Sequence, residues 1–318
     1  MNSFYWLMKR EFWENRGGFL WAPIITGGVF ILLNLMAIIA VEVTGPMHGI
    51  NIGDSNLRDA IAHADAGDLR QIGQILDVAM LSSMGPISIC QGFVVFFYCL
   101  SALYDDRRDR SVLFWKSLPI SDTNTVLSKV ASAVVVAPVI AVATGIVTGL
   151  IQLIAYAITL SFHGVNIWQL LGLAHPIKAL ASLIASVPAY ALWALPAVGW
   201  LMLCSAWARS KPFLWAVATP AIAGLLVGWF GIMGLFNLNT GWFWTNIVGR
   251  MLVSVFPVSS IAFDKHSLAS VGDNETLDDL LFSNSFHILS SHNLWIGVLA
   301  GVLMLAAAVW FRRVRDDS

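Results

Sequence analysis

From Gly18 to Val41 the chain carries no Asp, Glu, Lys or Arg, and the same holds for Ala79–Leu103, Ala179–Cys204, Phe213–Phe236 and Leu294–Phe311. Runs of that length and apolarity leave few options. A helix rises about 1.5 Å per residue, so each run covers the roughly 30 Å of a bilayer's hydrocarbon core. In lipid the backbone N–H and C=O groups have only one another as partners, and within one segment a helix alone satisfies them. A sixth run, Thr123–Phe162, holds one charge, Lys129, near its start; as a straight helix it would reach about 60 Å, twice the bilayer core. It must protrude, tilt or bend, and Pro138 is the expected place for a bend. Asp122, just ahead of it, is the expected N-cap, which puts Lys129 near a charged face. The predicted fold is an all-α polytopic membrane protein, a single transmembrane domain over residues 1–318 with six transmembrane helices. Composition agrees, since 58% of residues are hydrophobic and 12% charged, against about a quarter charged in a soluble domain.

The connecting segments add detail. Residues Asn2–Gly17 place Phe4, Tyr5, Met8 and Phe12 on one helical arc, with Lys9, Arg10, Glu11 and Arg16 mostly elsewhere, which predicts an N-terminal helix lying along the interface. The first apolar run opens too late and runs too long for a cleavable signal, so it is expected to stay as the first span. Residues 44–77 form one polar excursion, predicted as a pair of short amphipathic helices broken at Gly67. Residues 237–293 form the second. Its first half, around 242–258, is amphipathic and carries Arg250, which argues against a full crossing and for a re-entrant or interfacial helix before the last span.

Of the 18 Lys and Arg residues, Arg58, Arg70, Lys178, Arg250 and Lys265 fall on one side of this topology and the other thirteen on the opposite side. The positive-inside rule makes the richer side cytoplasmic, with both termini there, and a prokaryotic plasma (inner) membrane is the default location. All seven histidines then fall in outer-face segments without a helical i, i+4 pair. They read as solvated loop residues before a metal site or an acid sensor. Cys90, Cys99 and Cys204 sit inside apolar runs, as small hydrophobes do.

Several function classes find no support. A net charge of -1 gives no field for nucleic acid, and no nucleic-acid-binding motif is present. The span centres lack ionisable residues of the kind that ion-driven carriers need. No HExxH, no convergent catalytic constellation and no GxxxxGK[ST] loop occurs, so no catalytic, metal or cofactor-binding residue is assigned. Any ATP and magnesium would have to be held by another chain. Near the span centres the amide residues are Asn34, Gln91 and Gln152; they either line a pathway or hydrogen-bond between helices. The pairs Gly145 and Gly149, Gly224 and Gly228, and Gly297 and Gly301 suit close helix packing within the chain, or a dimer seam.

One hydrophilic stretch remains, Tyr104–Asp122, YDDRRDRSVLFWKSLPISD. Its alternating charges cannot be buried in lipid, so it lies at the membrane face, followed by an apolar turn that Pro119 stops. Either it docks a protein or it rests on anionic lipid. From Leu103 to Ser121 it resembles the corresponding segment of the type-2 ATP-binding-cassette exporter permeases: an acidic and basic run, two apolar turns and a Leu-Pro-Ile-Ser close. Ser111 and Val112 stand where many members have Gly-Thr. The resemblance extends over nearly the whole chain, through the interfacial helix, six spans, two outer excursions and the region before the last span. It implies that Ser111–Leu118 is a cytoplasmic coupling helix in a groove on a separate ATPase subunit. The implied docking residues are Arg107, Arg108, Asp109, Arg110, Ser111, Val112, Leu113, Phe114, Trp115, Lys116, Ser117 and Leu118. It further implies a second permease chain, identical or not, and export of a substrate that uncharged, aromatic-rich spans would suit if it were hydrophobic or amphiphilic. The rival reading is a non-transport membrane scaffold or sensor that signals through the same cytoplasmic loop.

Overall fold

A computed structural model describes residues 3–44, 66–109, 121–162, 176–233, 239–257 and 289–315. Among them every regular element is helical, and six helices are long and apolar enough to cross a membrane: Gly17–Thr44, Gly73–Arg108, Asp122–Phe162, Ile177–Trp207, Pro212–Ile232 and His292–Val314. These are called the first to sixth spans. Their burial separates centre from periphery. The second and fourth are each 61% buried in their apolar stretch and the third 44%, whereas the first is 6%, the fifth 17% and the sixth 22%. The bundle is thus built on the second, third and fourth spans, joined through Val95, Cys99, Val130, Ala133, Ala197 and Leu201.

Helix α1 (Ser3–Glu14) precedes the first span. Its buried face is Leu7 and Glu11, one turn apart, while Tyr5, Trp6 and Trp13 are exposed. The apolar arc expected to define the helix is therefore divided, because a carboxylate takes the inward position. Helix α2 (Ala22–Thr44) carries the first span. The second span starts inside α3 (Ala66–Ser82), passes Ser83, continues as α4 (Met84–Ala102) and ends in the short α5 (Tyr104–Arg108). The first helix of the expected pair lies outside the described residues, and Gly67 falls inside the second. It lies in the first turn of α3, whose Leu76, Met80 and Leu81 already belong to a core cluster with Leu153 and Leu183.

The third span is one continuous run of 41 residues, made of α6 (Asp122–Ala131), a π-helical turn over Ser132–Val136 and α7 (Ala137–Phe162). Pro138 does not end it. A proline ring collides with the carbonyl four residues back, here that of Val134, and the wider π turn moves that carbonyl aside. The first span repeats the arrangement, with a π turn at Gly17–Trp21 ahead of Pro23. Asp122 is not the cap. Ser121 is in extended conformation and its hydroxyl accepts the Asn124 N–H at 3.2 Å, which frees the Asp122 carboxylate for another partner.

The fourth span lies in α8 (Pro176–Trp207) and the fifth is α9 (Pro212–Ile232), with Lys211 between them in the left-handed region at φ 50°. The sixth is α12 (His292–Arg315). A Cβ on Gly199 would fall 2.6 Å from the Gly301 carbonyl oxygen, so the fourth and sixth helices touch backbone to backbone. Gly149 meets the Met80 carbonyl in the same way, and Gly224 the Trp244 ring. The small residues serve packing within the chain.

Between the fifth and sixth spans, α10 (Thr240–Phe243), a π turn (Trp244–Gly249) and α11 (Arg250–Val253) follow one another. Thr240 lies beside Gly231 and Trp244 beside Gly224, so the segment runs back along α9. Its end reaches the middle of two other spans: Phe256 packs on Gly92 and edge-on to Phe93 at 5.1 Å, and the Tyr190 hydroxyl donates to the Val255 carbonyl at 2.7 Å.

Candidate functional site: a buried ion-pair hub at the root of the charged stretch

Four helix ends converge where the second span gives way to the charged stretch. Lys129, two turns into the third span, places its Nζ 3.1 Å from Glu11 Oε1 of α1 and 3.5 Å from Asp106 Oδ2 of α5. The same Asp106 oxygen lies 3.2 Å from Nη1 of Arg312, near the end of the sixth span, and Arg312 Nε reaches Asp122 Oδ1 at 3.2 Å. The Tyr98 hydroxyl donates to the second Glu11 oxygen at 2.9 Å. Glu11, Lys129 and Arg312 are only 2–4% exposed. Two cations and the Glu11 carboxylate are thus held almost out of water, with Asp106 and Asp122 at 13% and 24% side-chain exposure on the edge, so attraction is strong but desolvation is costly. Such a cluster adds little net stability over an apolar core. Its effect is geometric, since each helix end is registered against the others by charges that have no alternative partner in lipid.

Arg107 turns the other way. Its Nη2 donates to the Ser205 carbonyl at 2.5 Å and the Ala208 carbonyl at 3.0 Å, closing the C-terminus of α8 with a positive charge, as the helix dipole favours. Ser205 is fully buried, and its hydroxyl accepts from the Leu103 and Tyr104 N–H groups at 3.1 and 2.9 Å, where α4 gives way to α5. The root of the stretch is therefore fastened to the fourth span by Arg107, to the third and sixth spans by Asp106, and through Lys129 to α1.

Of the docking residues implied by the resemblance, Arg107 faces inward, while Arg108 and Asp109 have side chains 65% and 62% exposed and pair with each other at 3.3 Å. Residues Arg110, Ser111, Val112, Leu113, Phe114, Trp115, Lys116, Ser117 and Leu118 lie outside the described residues. Asn34 is a packing amide: its Nδ2 donates to the Phe30 carbonyl at 2.9 Å and its Oδ1 accepts the Tyr156 hydroxyl at 3.0 Å, joining the first and third spans. Gln91 and Gln152 are buried, and their amide atoms have no hydrogen-bond partner among the described residues. Of the histidines only His292, which opens α12, is described.

Beside the hub, an open cleft of about 720 Å³ lies between the first, second and fifth spans. Phe93, Phe97 and Phe213 line its apolar part, and Glu14 and Asp105 its rim. Phe97 and Phe213 are stacked, with centroids 6.1 Å apart. Each rim carboxylate has an arginine of its own, Arg10 at 2.6 Å from Glu14 and Arg108 at 4.0 Å from Asp105. The cleft thus offers an aromatic slot beneath a zwitterionic edge.

Sequence reasoning missed Glu11, Asp106, Asp122, Arg312 and Ser205 as a set. The one available signal was Lys129, a charge in an otherwise apolar run, which requires a counter-charge from elsewhere in the chain. No family model, no curated protein and no solved structure matches the chain.

Proposed function

We propose that this chain is the membrane-spanning permease subunit of an ATP-driven exporter. A separate cytoplasmic ATPase subunit grips the charged stretch from Arg108 to Leu118, and a second permease chain completes the pathway. ATP and magnesium belong to the ATPase, and this chain contributes no catalytic group. Both termini lie in the cytoplasm, α1 rests in the interface with Tyr5, Trp6 and Trp13 toward the headgroups, and Thr240–Phe256 is a re-entrant segment entering from the outer face. The substrate is hydrophobic or amphiphilic. The cleft between the first, second and fifth spans, with an aromatic interior and a charged rim at the cytoplasmic end, suits a molecule of that kind.

The observation that carries the reading is the double fastening of the stretch. A partner pulling on residues beyond Asp109 acts through Asp106 and Arg107 on α1 and on the third, fourth and sixth spans at once. Closure of two ATPase subunits then changes helix packing because the two packings bind the partner differently.

The test is co-purification of an ATPase with this chain, extracted from its native membrane in mild detergent. The wild type should retain it, and Arg108→Glu combined with Trp115→Ala should release it while the permease stays folded in the membrane. Retention by the double variant would refute the assignment. Arg107 is left untouched, because its loss would disturb the bundle whether or not a partner docks.

A further inference from the structure

Arg250 is the one charge of the re-entrant segment, and it is 7% exposed. Its guanidinium lies 4.4 Å over the Trp193 ring, and Nη1 donates to the Asn293 carbonyl. Nε and Nη2 are buried without a hydrogen-bond partner among the described residues, and so is Ser254 Oγ, one turn further along. Burial lowers the proton affinity of this guanidinium below that of a free arginine, yet an arginine side chain keeps its proton. A full positive charge therefore stands in the outer half of the bundle with no carboxylate at ion-pair distance among the described residues.

Two details say what would satisfy it. Nε and Nη2 are neighbours on one edge of the guanidinium, the fork that holds two oxygens of one anionic group. Arg10 uses the same edge on Glu14, with Nε at 2.6 Å from one oxygen and Nη2 at 3.3 Å from the other. The second detail is position. Asn293 and Gly297 belong to the first turns of the sixth-span helix, and a Cβ on Gly297 would fall 2.5 Å from Nη2. The guanidinium thus packs directly against the first turns of a long helix, whose positive end would add to the attraction for an anion held on the Nε–Nη2 edge.

We propose that Arg250 and Ser254 form an oxyanion-binding site, in which the Nε–Nη2 edge grips two oxygens of a carboxylate or phosphate and the Ser254 hydroxyl donates a third hydrogen bond. That the anion is the head of a transported amphiphile rests on the exporter reading; the site itself does not.

The test uses the purified full chain in maltoside micelles, without ATPase or nucleotide, so that its outcome is independent of partner capture. Thermal unfolding midpoint and tryptophan fluorescence are followed while dodecyl phosphate, inorganic phosphate or dodecyltrimethylammonium is added. Saturable stabilisation of the wild type by dodecyl phosphate alone assigns the site to an amphiphile head, and equal stabilisation by inorganic phosphate assigns it to a free oxyanion; both support the proposal. Arg250→Lys, which keeps the charge without the fork, should bind at least about tenfold more weakly. Arg250→Met should show no saturable response, with an unliganded midpoint no lower than the wild type's, because an uncompensated buried charge has gone. No saturable response to either phosphate in the wild type, equal stabilisation by dodecyltrimethylammonium, or a wild-type response in Arg250→Lys would overturn it.

Discussion

Replacing Lys129 by Met tests the hub most directly. The ammonium stands 3.1 Å from one Glu11 oxygen and 3.5 Å from Asp106. At an effective dielectric of about 20 each contact is worth about 5 kcal/mol of Coulomb energy, offset by several kcal/mol for taking the ammonium out of water. Methionine fills nearly the same volume, so cavity formation is a minor part of the change. The dominant loss comes from Glu11, whose carboxylate, at 2% exposure, loses its cation and keeps only the Tyr98 hydroxyl as a partner. The expected cost is about 3–5 kcal/mol, the range for breaking one side of a buried pair. Reversible unfolding in mixed micelles of rising dodecyl sulfate content, followed by circular dichroism, measures it. Adding Glu11→Gln to Lys129→Met removes the stranded charge and should recover about 1–3 kcal/mol as a coupling energy. A single-variant loss under about 1 kcal/mol, or strict additivity of the two, would show that the hub is solvated and that its charges do not register the helices.

Other substitutions separate inward from outward roles. Arg107→Ala should cost about 1–3 kcal/mol by exposing the terminal carbonyls of α8, while Arg108→Ala, at an exposed site, should stay within about 0.5 kcal/mol of wild type in the same assay. Ser205→Ala strands the Leu103 and Tyr104 N–H groups and should cost about 1–3 kcal/mol, with faster amide exchange at those two positions measured by mass spectrometry. Gly301→Val would drive a side chain into the Leu195 carbonyl, 2.7 Å from its Cβ, and should lower the thermal midpoint sharply. Gly28→Ala, with open space at its Cβ, should leave that midpoint unchanged.

The six spans were legible because a bilayer imposes one length and one polarity on every crossing segment. Lys129 was legible as a charge near the charged face, and the glycine pairs as close contacts, because both follow from local spacing. What could not be read was partnership. Glu11 lies in α1, whose aromatic arc suggests a polar outer face, yet its counter-ion comes from the third span and turns it inward. Asp122 looks like a cap until Ser121, one residue earlier, takes that role and frees it for Arg312. Arg107 and Arg108 are the same residue type side by side; the carbonyls of α8, about a hundred positions away in the chain, make one structural and leave the other outside.

The contact of Gly199 with Gly301 has a mechanical corollary. Two helices whose main chains abut cannot slide past each other without first separating, so the fourth and sixth travel as a single strut. The first span, almost bare along its apolar stretch, has no such tether. On the proposed exporter reading, alternating access would move that strut as one body, and a cross-link joining its two helices should leave ATP-driven transport intact.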